Sequence, residues 1–400
     1  MLDLAQLRAD TPGTREVIHL NNAGASLMPQ IVVDTVVEHM QQEARFGGYE
    51  AAGMAAERVE RVYESVARLL NAAPDEIAVI ENATRAWDMA FYSLPLSEGD
   101  VVLTSATEYA GNYIPYLQLQ RRRGIRIEVV PNDEQGQISV DALRQCLRNP
   151  RAKLVSLPMI ATNGGPVQPV EAIGVAAREA GAWFLLDACQ AAGHVPLDVQ
   201  KIGCHMLAAT SRKYLRGPRG VGFLYIDREL CAHLEPVFLD LHAAALQTAD
   251  RFEIRPDARR FENWECNIAA KLGMGAAIDY ALAIGVPAIW DRIQMLSASL
   301  RAQLAEIDGV TVQDIGAVKS GIVTLTLENY EPALIKQRLA EQATRINVSY
   351  STFQSTMLDM QARGLRDVVR ASVHAYNSDE ETASFVQAIS ALTKERADAQ

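Results

Sequence analysis

Short apolar runs alternating with longer amphipathic ones across residues 77–226 predict an α/β fold built on a mainly parallel sheet flanked by helices. Two further observations support that class. The short runs are apolar at nearly every position, as strands buried on both faces must be. After about residue 265 the texture changes to long helical runs followed by further strands, which predicts a smaller C-terminal α/β domain. The expected division is a large domain over 16–265 and a small domain over 266–400, the latter packed with the N-terminal segment 1–15.

The elements follow in order. Ile77-Ala78-Val79-Ile80 reads as a strand and residues 86–93 as the helix after it. A strand over 101–104 leads to a helix over 113–123 and a strand over 125–130. Residues 154–157, a helix over 170–180 and residues 183–186 continue the alternation, and Val221-Gly222-Phe223-Leu224-Tyr225-Ile226 closes it. Residues 238–261 have no clear period and read as a loop. Helices over 268–284 and 287–307 precede strands over 321–327 and 368–373, and an amphipathic helix from 379 to about 394 ends the pattern. No internal repeat or low-complexity linker interrupts it.

Composition removes several classes of function. Lys and Arg number 38 against 49 Asp and Glu, a net charge of −11, so no broad basic footprint exists for nucleic acid or an anionic membrane. Arg121-Arg122-Arg123 reads as a solvated helix end. The cysteines, Cys146, Cys189, Cys204, Cys231 and Cys266, are scattered and form no CxxC pair, which gives no zinc site or disulfide framework and suits a reducing compartment. The first ten residues lack the profile of a signal peptide, and no apolar run reaches the roughly 20 residues of a membrane span. A cytoplasmic protein without nucleic-acid or membrane partners is the expectation.

Chemistry concentrates in two places. Thr210-Ser211-Arg212-Lys213-Tyr214-Leu215-Arg216-Gly217-Pro218-Arg219-Gly220 sets a lysine between a polar cluster and a Gly/Pro turn, just before a buried strand. A lysine that forms a Schiff base must be held by such a rigid loop, shielded from water; a surface lysine in a basic turn is the alternative. Leu185-Leu186-Asp187-Ala188-Cys189-Gln190 places an acid at the carboxyl end of an apolar strand. A buried carboxylate needs a partner, and the pyridinium nitrogen of pyridoxal phosphate (PLP) is a suitable one. A helix cap is the other reading of Asp187.

These residues resemble the class V aminotransferase and cysteine desulfurase-like branch of fold-type I PLP enzymes. That branch carries D-x-x-Q, then H-x-x-x-D-V-Q, then a lysine followed by G-P-x-G-x-G. The chain reads Asp187-Ala188-Cys189-Gln190, His194-Val195-Pro196-Leu197-Asp198-Val199-Gln200, and Lys213 with Gly217-Pro218-Arg219-Gly220-Val221-Gly222. The likeness runs from about residue 20 to 386.

The resemblance implies further roles. Asn82-Ala83-Thr84-Arg85 matches a phosphate-binding turn at a helix start, with Ala83, Thr84 and Arg85 as cofactor contacts. Thr210 and Arg212 match two further phosphate contacts, with Arg212 where relatives often have His. Glu108-Tyr109 matches a Glu-His pair whose ring stacks on the cofactor, a role for Tyr109. Asn163 and Gln190 match groups near the cofactor's phenolic oxygen. Arg370 matches the arginine that grips a substrate α-carboxylate, and Ala23, Gly24 and Ala25 a turn lining the substrate pocket. A homodimer with shared sites is implied as well.

Two departures bear on the reaction. Desulfurases need a nucleophilic cysteine on a loop before the substrate arginine, and residues 347–356 contain none. Cys189 reads as packing beneath the cofactor. Relatives often have R-F-E-x-G-T-P-N where this chain has Arg260-Phe261-Glu262-Asn263-Trp264-Glu265-Cys266-Asn267. Glu265 is expected either to cross a dimer interface and pair with Arg212 or Arg85 near the phosphate, or to face solvent. His242, Arg251 and Arg255 in the stretch 239–260 are candidate side-chain recognition groups or solvated charges.

The resemblance implies an amino-acid substrate that displaces Lys213, after which the freed lysine removes the α-proton. Without the loop cysteine, β-elimination from a cysteine-derived substrate, of C–S lyase type, is the leading expectation, and desulfurase activity is not expected. Transamination, epimerisation of the isopenicillin-N-epimerase-like kind, and a non-catalytic PLP-binding module are the alternatives.

Overall fold

The computed structural model of the chain describes residues 2–397, with side chains as far as Lys394. Its centre is a seven-stranded sheet of β1 (Ile77–Ile80), β2 (Val101–Ser105), β3 (Arg126–Val130), β4 (Ala152–Pro158), β5 (Trp183–Asp187), β6 (Met206–Thr210) and β7 (Gly222–Ile226). The order across the sheet is β1-β7-β6-β5-β4-β2-β3. Only β7 runs against its neighbours β1 and β6; the other pairings are parallel. The carboxyl ends of the other strands therefore share one edge.

The strands separate two apolar layers, as alternation along a pleat requires. Ile77, Val79, Leu157, Leu186 and Leu207 join one buried cluster, while Ala78, Ile80, Leu154, Leu185 and Met206 join the other. Edge strand β3 departs from this pattern, with Arg126 and Glu128 exposed, which keeps the sheet edge charged. Apolar periodicity does not single out β6, whose Met-Leu-Ala-Ala-Thr run is short and small-sided, yet that strand feeds the Lys213 loop.

The helices that matter for the site are α1 (Gln30–Phe46), α2 (Ala56–Leu70), α3 (Ala83–Ser93), α4 (Ala110–Arg123) and α5 (Ile268–Ile284). Helix α3 begins at residue 83 rather than 86, and α4 at 110 rather than 113, because Asn82 and the Tyr109 turn start them earlier than apolar spacing suggests. Helix α5 packs on α1 and α2. The sharp change of direction comes at Gly285, where α5 meets α6 (Val286–Ala305) at 77°. Residues 238–261 are not simply a loop: β8 (Ala244–Thr248) and β9 (Arg251–Ile254) form an exposed antiparallel hairpin. Its mostly exposed side chains leave no apolar face to read in the sequence.

The C-terminal part is an antiparallel sheet, β10 (Val310–Val312), β11 (Ile322–Leu327), β12 (Ser349–Thr352) and β13 (Asp367–Ser372), in the order β10-β11-β13-β12. Helices α6 and α7 (Asp379–Ala397) pack together beside it. The N-terminal segment is tied to this part: Ile18–His19 pairs in parallel with Ile346–Asn347, and Arg8 bonds Glu381 at 2.8 Å.

Candidate active site

A cavity of about 110 Å³ opens at the shared carboxyl edge of the sheet, lined in part by Thr84, Tyr109, Asp187, Gln190, Arg212 and Lys213. Each strand end contributes. β1 leads into the start of α3, where the Asn82 side chain accepts the Arg85 N–H at 3.0 Å. The first N–H groups of a helix have no partner within it, and Ala83 and Thr84, at this helix start, line the cavity wall. Gly222 makes this placement possible: a Cβ there would stand 2.4 Å from the Ala209 carbonyl oxygen and 3.2 Å from the Ala83 nitrogen. That end of the cavity suits a dianionic phosphate.

Another part of the lining is acidic. Asp187 is buried at the end of β5; its Oδ1 accepts the Cys189 N–H at 2.8 Å and its Oδ2 accepts the Asn112 amide at 3.0 Å. The Cys189 thiol is pushed well up, by burial first and then by Asp187, so it stays protonated.

Lys213 lines the same cavity. Burial lowers its pKa, Arg212 and Arg370 add to that, and the Asp187 charge opposes it. A lysine so displaced spends more time as the neutral nucleophile. Its loop is held by Arg216, buried at φ +62°, which bonds the Leu27 carbonyl at 2.9 Å and Thr11 Oγ1 at 2.5 Å and lies over the Tyr376 ring at 4.6 Å. A left-handed arginine costs about 1–3 kcal/mol, and these contacts over-determine it.

Arg370, on β13, is buried and reaches across from the small sheet. Its Nη1 donates to Thr162 Oγ1 at 2.7 Å, while Nε is buried without a partner. Burial lowers its pKa to about 10, which leaves it charged at neutral pH. The 23–25 turn sits close by: Gly24 offers its carbonyl to Arg212, Ala23 its carbonyl to Gln190 Nε2 at 3.1 Å, and Ala25 its carbonyl to His19 Nε2 at 2.8 Å. Tyr109, 44% exposed, lines the cavity mouth.

Of the residues the sequence points to, Ala83, Thr84, Tyr109, Asp187, Gln190, Thr210, Arg212 and Lys213 converge on the cavity. Three do not. Arg85 turns to Glu81 at 3.2 Å and lies 5.0 Å over Phe238, in a separate groove, because its backbone rather than its side chain faces the helix start. Asn163 points its amide at Thr356 Oγ1, 3.1 Å away, and at Met360 Sδ, since Thr162 takes the inward position. Glu265 is exposed and borders a small recess with Glu81, Asn267 and Lys271. His242 and Arg255 are engaged locally, with Glu262 at 3.3 Å and Asp257 at 2.7 Å. Trp87, Asn112 and Thr162 line the cavity without having been singled out. The four-residue spacing of Glu108, Asn112 and Tyr116 is the signal that finds Asn112, since it sets polar groups on one helical face.

The arrangement tests well against PLP. A helix start, a lysine in a shielded loop and a buried aspartate lie around one cavity; Gln190 Oε1 in its lining is buried without a partner, as is Arg370 Nε beside Thr162. Orphaned buried polar atoms of this kind call for a bound polar group. Fold and site together define a fold-type I PLP-dependent enzyme. The chain belongs to the aminotransferase class-V family, whose profile matches residues 18–385. A probable cysteine desulfurase of Methanothermobacter thermautotrophicus is 30% identical over 379 residues, 94% of each chain. The apo structure of a cysteine desulfurase from Thermococcus onnurineus NA1 superposes with a TM-score of 0.91 at 26% identity, covering 99% of both chains. A cystine C–S lyase in complex with its product cysteine persulfide shares the fold, with a TM-score of 0.85 at 22% identity over 95% of this chain and 99% of its own.

Proposed function

We propose that the chain catalyses β-elimination from a cysteine-derived amino acid, as a C–S lyase. The observation that carries this reading is Lys213 in the cavity wall with the Arg370 charge near enough to lower its pKa, together with a stretch 347–356 that contains no cysteine to capture sulfur. When bound, PLP supplies an electron sink for the pair left at the substrate Cα. Arg370 takes the α-carboxylate through its unpartnered face, in the forked geometry a guanidinium provides. Lys213 removes the proton from Cα, and Asp187 holds a proton on the ring nitrogen. Ala83, Thr84, Thr210 and Arg212 would hold the phosphate, and Tyr109 would stand against the ring. The sulfur substituent would leave Cβ with the bonding pair and take up a proton as a thiol, and hydrolysis of the remaining three-carbon fragment would give pyruvate and ammonia.

Desulfuration is the second reading, favoured by the names of the relatives. It needs a thiolate that attacks the substrate sulfur. Cys189, in the cavity wall, is held as a thiol by burial and by Asp187, so elimination is preferred.

Assembly as a homodimer belongs to this proposal. Helix α1 turns Ile31, Val37, Met40 and Phe46 outward, and Trp264 is 52% exposed beside Glu265. An apolar surface of this kind suits an interface, across which the partner's Glu265 would meet Arg212 or Arg85. Unchanged PLP affinity in Glu265→Thr would remove that pairing.

Pyruvate and ammonia release from a panel of cysteine conjugates tests the activity. Pyruvate in step with thiol release supports elimination, whereas lasting conversion to the pyridoxamine form without pyruvate assigns transamination.

A further inference from the structure

We infer that Glu108 is a positioning residue: it stores a proton beneath the cofactor cavity and, through the Asn112 amide, sets how firmly Asp187 holds the charged cofactor ring. This rests on the assignment of Asp187 to the ring nitrogen.

Glu108 is buried, and four donors converge on it. Its Oε1 accepts the Tyr109 N–H at 2.7 Å and the Asn112 Nδ2 at 3.0 Å; its Oε2 accepts Thr104 Oγ1 and the Tyr116 hydroxyl, both at 2.9 Å. The Asn112 amide has two hydrogens, and the second goes to Asp187 Oδ2 at 3.0 Å. One amide group therefore cross-links the two carboxyl groups, and neither can change charge without the other sensing it.

The surroundings accept both protonation states of Glu108. As a carboxylate it is satisfied by the four donors. As an acid it can donate to the Tyr116 oxygen, provided the hydroxyl turns to the Ser156 carbonyl, which stands 3.5 Å away. The titratable groups facing it are Asp187 from β5 and Tyr116 from α4; Thr104 and Asn112 contribute neutral hydrogen bonds. Burial and the Asp187 charge raise its pKa to about 8, against the pull of the donors. Glu108 is therefore neutral below that pH and negative above it. A second negative charge behind Asp187 stabilises the protonated cofactor.

The test compares PLP-loaded wild type and Glu108→Gln by absorbance titration of the bound cofactor from about pH 6 to about pH 10. The variant mimics the neutral acid, so the curves should coincide below about pH 7. Above about pH 8, wild type should keep the protonated spectrum to a pH higher by about half to one unit. Tyr116→Phe removes one donor to the carboxylate, so Glu108 gains its charge at higher pH and this variant should lose the protonated spectrum at a lower pH than wild type, a readout that does not need the Glu108→Gln protein. Wild-type and Glu108→Gln curves that coincide throughout, or that differ by a constant offset, would overturn the inference, as would a Tyr116→Phe curve identical to wild type. A wild-type protein with no near-visible band after PLP addition would instead overturn the cofactor assignment itself.

Discussion

The Arg370 guanidinium rests one nitrogen on the Thr162 hydroxyl at 2.7 Å and leaves its Nε buried without a partner. That half-satisfied state is what a carboxylate clamp looks like before its substrate arrives. A charge-assisted pair of this type contributes about 1.5–3 kcal/mol. Arg370→Lys, which keeps the charge and loses the fork, should raise KM for the amino acid by about 10- to 100-fold with a smaller change in kcat. Steady-state kinetics decide it; an unchanged KM would place the carboxylate elsewhere.

Asp187→Asn preserves the shape of the carboxyl group and most of its hydrogen bonding while removing the charge. Loss of one partner from a buried ionic pair costs about 3–5 kcal/mol, so turnover should fall by a factor on the order of 10² or more. PLP titration and turnover assays check this together. Full activity in the variant would show that Asp187 does not serve the ring nitrogen.

Cys189 lies in the cavity wall, with its thiol raised well above the usual range by burial and by Asp187. A thiol so held is a poor nucleophile. Cys189→Ala should retain PLP and release thiol from its substrate at a rate within a few-fold of wild type. Complete loss of sulfur release, with PLP still bound, would favour desulfuration through this residue.

Stability should depend on pH through buried histidines. His194 is fully buried, with Nδ1 on the Gln190 carbonyl at 2.9 Å and Nε2 facing the Gly321 N–H at 3.0 Å, which fixes it as the neutral Nδ1–H form. Burial lowers its pKa from 6.5 to about 3, and His374 is lowered in the same direction. The folded-state value lies below the unfolded one, so this stability is present above about pH 6.5 and is lost progressively toward about pH 3. Within that window each such histidine contributes a slope of about 1.4 kcal/mol per pH unit. Urea unfolding of His194→Asn should show lower stability at pH 7 and a slope shallower by about one proton; an unaltered slope would refute the assignment.

The sheet was readable because strands buried on both faces leave unbroken apolar runs, as at Ile77-Ala78-Val79-Ile80. Lys213 and Asp187 were readable because each breaks such a pattern at a strand end. Helices α1 and α2 carry no such signal, since they precede the alternating region that defines the sheet. Arg85 and Asn163 show a further limit: family spacing places a backbone correctly, but which neighbour's side chain turns inward depends on packing. At residues 162 and 163 the inward position goes to Thr162, whose hydroxyl meets Arg370 from the other sheet. A contact between sequence-distant residues leaves no local pattern.

Borohydride reduction of the PLP-loaded protein, followed by peptide mass mapping, tests the central claim most directly. Reduction makes the link between cofactor and lysine permanent. The structure predicts a single pyridoxyl adduct, on Lys213, absent from Lys213→Ala, which should remain folded because the side chain carries no hydrogen bond of its own among the described residues. An adduct on another lysine, or none at all, would contradict the assignment of Lys213 as the cofactor anchor.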